Sequence, residues 1–246
     1  MLKLINKIID YIYVPKCGGC NSRMSSSELG LCDKCQKRYL DEKEEYCDFC
    51  GMSASICTCV PFNMRINGCI DYKKLIFYKK TAGVSCVRNM LYKIKRSHNL
   101  SLIRFFAEEL FKIDNGLLPV DPIVTFAPRL PNAVKKYGYD QGKLLAENYA
   151  KIGGYKFKTL FRRKMIPRQT QQKLLNYRQR AANVKGAFAI CDVEQIYGRN
   201  VILIDDVVTS GATLGECISL LYENGAKTVI CRSIAHTYRK NKRKND

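Results

Sequence analysis

The apolar positions of this chain fall into two rhythms. One is the uninterrupted run: Val201, Ile202, Leu203 and Ile204 stand together, and residues 122–128 and 228–235 repeat the pattern. Such runs predict strands buried on both faces of a parallel sheet. The other rhythm is a spacing of three and four. It predicts a helix over residues 214–224, through Leu214, Ile218, Leu221 and Tyr222, and others over 84–94, 102–111 and 140–150. Residues 69–73 and 75–78 read as two short strand pieces, the stretch 129–137 as a loop, and Phe105, Phe106, Leu110 and Phe111 as core. Near the start, Leu2, Ile5, Ile8, Ile9 and Ile12 share one helical face that ends before Pro15, a helix expected to dock on the body of the protein. Together these elements predict an α/β fold, with a five-stranded parallel sheet and helices on both faces.

Cysteine placement separates off the first part of the chain. Eight of the 13 cysteines lie within the first 59 residues, as Cys17-x2-Cys20, Cys32-x2-Cys35, Cys47-x2-Cys50 and Cys57-x-Cys59. A C-x2-C knuckle offers two thiolates to one tetrahedral zinc, and Gly18, Gly19 and Gly51 are expected to supply the tight turns. Two knuckles close each site. The sequential pairing joins Cys17/Cys20 to Cys32/Cys35 and Cys47/Cys50 to Cys57/Cys59, while a cross-braced pairing joins Cys17/Cys20 to Cys47/Cys50. Four protein ligands leave no open position for water, so two structural Zn2+ ions are expected. Lys7 and Asp10 interrupt the early apolar positions, so no secretory signal is read there, and no run reaches membrane-spanning length. These features predict a cytoplasmic protein, not embedded in a membrane, whose thiols stay reduced. The unpaired Cys69, Cys86, Cys191, Cys217 and Cys231 read as small buried hydrophobes.

Charge divides the chain at the same place. The formal net charge is +20, yet residues 1–62 carry 8 basic and 8 acidic side chains, against 34 and 14 in residues 63–246. The basic part expects an anionic partner, either nucleic acid or a phosphorylated substrate. Expected boundaries are a helix and double zinc ribbon over 1–62, one α/β domain over 63–237, and a basic tail over 238–246 suited to loose phosphate contact. Between Glu147 and Asp192 lie 11 basic residues and no acid. Lys173, Arg178 and Arg180 could neutralise a diphosphate there, or follow a single DNA strand with Tyr177 stacked on a base.

The chemistry concentrates where the 201–204 run is expected to end. Asp205 and Asp206 come first, and then Thr209, Ser210, Gly211, Ala212 and Thr213 lead into a helix. Backbone N–H groups at a helix N-terminus attract phosphate, and small residues let it approach. The hydroxyls can donate to phosphate oxygens, and the two carboxylates can accept from the vicinal hydroxyls of a ribose. An acid in this place also serves as a helix cap, the plainer alternative for Asp206. No Gly-Lys-Ser/Thr follows, which excludes a Walker loop, and Gly211 lacks the glycine partners of a dinucleotide fingerprint. Of the two histidines, His98 reads as exposed and His236 as ending a strand at the sheet edge.

The run Asp-Asp-Val-Val-Thr-Ser-Gly-Ala-Thr after an apolar strand resembles the phosphoribosyl pyrophosphate (PRPP) motif of type I phosphoribosyltransferases. That resemblance implies that Asp205 and Asp206 hold the ribose hydroxyls and residues 209–213 the 5′-phosphate. It also implies that Pro128, Arg129 and Leu130 lie where pyrophosphate binds with Mg2+, under a mobile hood. Gly138-Tyr139-Asp140-Gln141, and Thr170-x-Gln172-x2-Leu175-x4-Arg180-x2-Asn183-Val184-x-Gly186-Ala187-Phe188, fall in order with it. With the cysteine-rich start, the chain resembles the ComF family of competence-associated proteins. This implies a type I phosphoribosyltransferase-like parallel sheet flanked by helices, plus a small N-terminal zinc-ribbon domain. It further implies PRPP binding in DNA uptake and natural transformation, contact with single-stranded DNA, and a helicase or uptake-channel partner that would bring the chain to the inner face of the membrane. Where the family has Arg-Gly-Phe-Asn-Gln, this chain has Tyr137-Gly138-Tyr139-Asp140-Gln141, and Asn132, Ala133 and Lys136 stand where arginines are expected. No residue reads as a general base, so catalytic residues are unassigned. A non-catalytic DNA adaptor with PRPP as ligand and a nucleobase-salvage enzyme are the competing readings.

Overall fold

The computed structural model describes residues 16–24, 30–78, 85–114, 116, 118–164 and 184–237. The expected helix at 2–14, the basic segment from Thr170 to Asn183 and the tail 238–246 lie outside the described residues. Five strands make the main sheet: β1 (Asp71–Phe77), β2 (Ile123–Phe126), β3 (Lys156–Phe157), β6 (Asn200–Val208) and β7 (Thr228–His236). Their spatial order is β1-β7-β6-β2-β3, with every pair parallel. Strands β4 (Phe161–Arg163) and β5 (Phe188–Ile190) form a separate antiparallel pair.

Central placement explains the composition of β6. It pairs with β2 on one side and β7 on the other, and Val201, Ile202, Leu203 and Ile204 are fully buried. Each such side chain stabilises the fold by about 1.5–3 kcal/mol. Side chains alternate between the two faces of a strand. Ile202, Ile204, Ile230 and Ile234 meet the helices α3 (Cys86–Arg96), α4 (Leu100–Asp114) and α6 (Gln141–Gly153). Val201, Leu203, Val229 and Cys231 meet α7 (Ala212–Glu223) and the β4–β5 pair. The expected parallel sheet with helices on both faces is therefore present.

Several local expectations change. Residues 69–73 and 75–78 are not two pieces, because β1 runs unbroken beside β7. The expected loop 129–137 contains a short helix, α5 (Pro131–Tyr137), with proline in its first turn and Gly138 at φ +77° ending it. His236 is not at a sheet edge. It ends β7, which lies between β1 and β6, and its ring packs against Tyr72 and Phe77. Cys69, Cys86, Cys217 and Cys231 are buried as expected, but Cys191 is exposed. His98 is exposed and its ring lies 4.7 Å from that of Tyr139, tilted by 39°.

Polar clusters brace the face covered by α4. Arg232, fully buried on β7, pairs with Asp114 at 2.6 Å and Asp71 at 2.8 Å. Glu109 on α4 accepts from the Tyr39 hydroxyl at 3.0 Å and pairs with Lys43 at 2.8 Å, which fastens α1 (Asp33–Lys43) to the body.

Candidate functional site

The strand carrying the acid pair does not stop before it. Strand β6 continues to Val208, so Asp205 and Asp206 lie within the strand and alternation sends them to opposite faces. Asp206 is buried on the side of α3 and α6. Its Oδ2 forms an ion pair with Lys95 Nζ at 3.0 Å and accepts from Gln141 Nε2 at 3.1 Å. Burial pushes this carboxyl up, but Lys95 and Gln141 outweigh it and hold the group below the usual carboxylate range. Asp205 is half-buried on the side of α7. Desolvation and then the Asp206 charge raise it well above that range, against the pull of Lys95. The surroundings thus split the pair, favouring the charged form of Asp206 and disfavouring that of Asp205. Asp206 is not a helix cap, since Gly211 occupies the cap position of α7.

The loop after β6 turns into α7 through Gly211 at φ +73°, a conformation that favours glycine. Thr209 is exposed and Ser210 buried, with the Ser210 Oγ accepting from the Ala212 N–H at 3.4 Å. Small residues were expected here to admit phosphate. At Gly211 the protein itself already requires one, because an added Cβ would lie 2.9 Å from both Pro61 Cβ and Met64 Cγ. Both residues belong to the segment leaving the last cysteine pair, around α2 (Phe62–Arg65).

The neighbouring strand supplies the other half of the site. Ala127 N–H donates to the Ile204 carbonyl at 3.1 Å, so the 127–130 stretch starts beside the acid pair. Strand β2 connects outward through α6 to β3 and β6 outward through α7 to β7, which makes the gap between them the switch point where α/β sheets bind ligands. Asp140 fixes this loop. It accepts from Arg129 N–H at 2.8 Å while capping α6 through Gly142 and Lys143. Arg129 also donates to the Tyr139 carbonyl at 3.3 Å, and Leu130 begins α5. The Gly138-Tyr139-Asp140-Gln141 motif is accounted for: a left-handed end, a hydroxyl on the Ile94 carbonyl, a cap, and a donor to Asp206.

Three cations went unsingled in the sequence. Lys95 holds Asp206. Arg163, on β4, donates to the Pro128 carbonyl at 3.2 Å with its guanidinium 5.0 Å from the Phe188 ring centre, and its buried Nε and Nη2 have no hydrogen-bond partner among the described residues. Burial lowers its pKa, opposed by Cys217, Asp205 and Asp140. Lys74, fully buried on β1, donates to the Cys57 carbonyl at 2.9 Å, the Cys57 Sγ at 3.0 Å and the Cys59 carbonyl at 3.3 Å.

The cysteines assemble in the sequential pairing. Cys17, Cys20, Cys32 and Cys35 form one cluster and Cys47, Cys50, Cys57 and Cys59 another, each with all sulfurs within 4.8 Å of one another. Four such thiols fit a tetrahedral zinc with no open position. The left-handed turns follow the second cysteine of each leading knuckle, at Asn21 (φ +70°) and Gly51 (φ +69°). Gly18 and Gly19 lie within the first of these turns, closed by Asn21 N–H on the Cys17 carbonyl, and also allow close packing: added Cβ atoms would lie 2.2 Å from Leu102 Cδ2 and 2.6 Å from Cys86 Sγ.

Sequence comparison relates the chain to known proteins. The phosphoribosyl transferase domain matches residues 163–246, which span β6, α7 and β7. The DNA utilization protein YhgH of Salmonella typhi is 25% identical over 225 residues, covering 89% of this chain and 97% of that protein. Competence protein F of Haemophilus influenzae is 22% identical over 232 residues, covering 87% and 93%. The chain is similar to these two proteins along most of its length. Among solved structures, the allosteric regulatory enzyme of purine biosynthesis aligns with 53% of this chain at 18% identity and a TM-score of 0.36, and the chain spans 25% of that structure's length. Among the described residues, no helix is long and apolar enough to cross a membrane.

Proposed function

We propose that the chain binds PRPP with Mg2+ at the carboxyl edge of β6 and β2, in the service of DNA uptake and natural transformation. The observation that carries this is the juxtaposition across the switch point. An acid pair with one member held by Lys95, a helix N-terminus behind a small-residue loop, and the 127–130 loop all meet along one edge. Asp205 and Asp206 would take the ribose hydroxyls. Thr209, Ser210, Gly211, Ala212 and Thr213 would take the 5′-phosphate, and Pro128, Arg129 and Leu130 the pyrophosphate side. The unpartnered nitrogens of Arg163 add two donors beside Pro128 for an anion. Zinc in the two cysteine clusters would be structural.

The DNA-related names of the relatives bring in a second ligand, single-stranded DNA. The excess of 34 basic over 14 acidic residues in 63–246 favours it. A helicase or channel protein would be the partner, reached at the inner face of the membrane. Calorimetric titration of PRPP and Mg2+ into metal-replete protein should give saturable heat, and Asp206→Asn should weaken it while salt-sensitive DNA binding persists. Absence of any PRPP heat from wild-type protein refutes the reading. Pyrophosphate release on adding PRPP and a nucleobase would instead mark a transferase.

A further inference from the structure

The second cysteine cluster reaches the 209–213 loop by two separate paths. The first is along the chain. One residue, Val60, separates Cys59 from Pro61, which packs with the fully buried Met64 against Gly211. Asn63, buried beside them, donates from Nδ2 to the Ser210 carbonyl at 2.9 Å, and its own carbonyl accepts from Asn67 at 2.6 Å. The Asn63 carbonyl oxygen also lies 2.5 Å from where a Cβ of Gly215 would sit, so α2 and α7 touch backbone to backbone. The second path runs through side chains. Lys74 grips Cys57 and Cys59 by three hydrogen bonds, and its ammonium lies 5.0 Å from the Tyr72 ring centre and 5.3 Å from that of Phe77. Those two rings enclose His236, which hydrogen-bonds the Thr209 backbone. Thr237, next in sequence, donates from its N–H to the Val208 carbonyl at 2.8 Å.

Both paths start at cluster residues and end within the first three residues of the loop. A metal held by four thiolates carries net negative charge, and a buried lysine on Cys57 offsets part of it. The metal in turn would fix the backbone at Cys57 and Cys59 from which Lys74 and Pro61 hang. We propose that the second metal centre sets the conformation of the 209–213 loop, with Lys74 and Asn63 as the positioning residues between them. This rests on the reading that the loop receives a phosphate. Metal occupancy there would govern phosphate grip with no ligand atom shared between the two sites.

The test uses full-length protein and begins without ligand. Cys59→Ser should reduce bound zinc from two ions per chain to one, and hydrogen exchange at the Ser210, Gly211 and Ala212 amides should quicken about tenfold while α6 stays protected. Cys59→His, which keeps a metal ligand, should restore both readings. Asn63→Ala should retain both metals yet speed the same amides, and this holds even where Cys59→Ser fails to fold. Affinity for ribose 5-phosphate should then fall about tenfold in Cys59→Ser and recover in Cys59→His. Unchanged exchange in a folded Cys59→Ser protein with one zinc, or in Asn63→Ala, overturns the coupling. Changed exchange in a wild-type background that never binds ribose 5-phosphate leaves the coupling standing and overturns the phosphate reading instead.

Discussion

The two cysteine clusters look alike in sequence and differ in how they are attached. The first is woven into the larger core. Leu102 fills the space over Gly18, Cys86 lies over Gly19 and Cys35, and Lys93 and Asn89 of α3 donate to the Cys17 and Gly19 carbonyls. The second belongs to a small separate cluster in which Cys47, Ala54 and Cys57 pack on Phe77 of β1, and the buried Lys74 of the same strand donates to Cys57 and Cys59. Each cluster also leads to a different half of the ligand site. From the first, α3 runs to Lys95 and so to Asp206, whereas from the second, α2 and His236 lead to the loop. Apolar packing ties a metal module to global stability; a polar link ties it to one local conformation.

The largest effect should therefore come from the first module. Leu102→Ala leaves a cavity where α4 meets Gly18 and should cost about 3 kcal/mol in urea denaturation. A chelator should strip one zinc from the wild-type protein while far-ultraviolet dichroism holds, and the other only as that signal collapses. Simultaneous loss of both ions would erase the contrast.

Acid should loosen the second side first. Burial and the Lys74 charge push the His236 pKa down to about 4, against the Thr209 backbone. An unfolded histidine titrates near ~6.5, so between these values only the unfolded chain holds the proton. Stability is complete above that window and falls as pH drops through it, with a ceiling of about 3 kcal/mol. On the first side, Glu109 is buried, yet Lys43, Lys112 and Tyr39 hold it below the usual carboxylate range. Its contribution is present above about pH 4.3 and is lost only as pH falls through its lower folded value. His236→Phe, which suits the Tyr72 and Phe77 rings, should flatten the slope between pH 6.5 and 4. A slope that survives this substitution places the sensor elsewhere.

What could be read from the chain beforehand follows the same division. The run 201–204, the knuckles and the loop into α7 are local patterns, and each stands where it was expected. Strand order is not local. β7 comes last among the strands but inserts between β1 and β6, and for that reason His236 read as an edge residue. Lys74, Lys95 and Arg163 are three among 42 basic residues, and only packing sets them apart by bringing distant elements against Cys57, Asp206 and Pro128. The missed helix α5 did have a signal, proline at its start and glycine at its end.

Lys95→Met sharpens the comparison on the acid side. Without the ammonium, Asp206 keeps Gln141 but loses its counter-charge, and two adjacent carboxylates share one buried edge. Both would then favour protonation, weakening their hold on ribose hydroxyls. Ribose 5-phosphate affinity should fall about tenfold, or ~1.4 kcal/mol, with Lys95 partly exposed and the effect screened accordingly. Inorganic phosphate, which needs only the loop, should bind as before. Equal loss of both would join the two halves that the clusters separate.

The smallest effect should arise two residues along the helix that gives the largest. Arg104 and Glu108 on α4 form an exposed pair at 2.9 Å, one turn apart, with the arginine side chain 71% exposed. Holding two long side chains in one geometry costs entropy that offsets most of the attraction, and salt screens the remainder. Arg104→Ala should shift stability by roughly 0.3 kcal/mol, less in high salt, and leave zinc content and ribose 5-phosphate affinity unchanged. Because Arg104 and Leu102 share a helix, a shared propensity effect cancels between the two variants. The difference between them then measures what the first cluster gains from apolar contact alone. If Arg104→Ala destabilised the protein as much as Leu102→Ala, helix integrity rather than packing against Gly18 would be what holds that module.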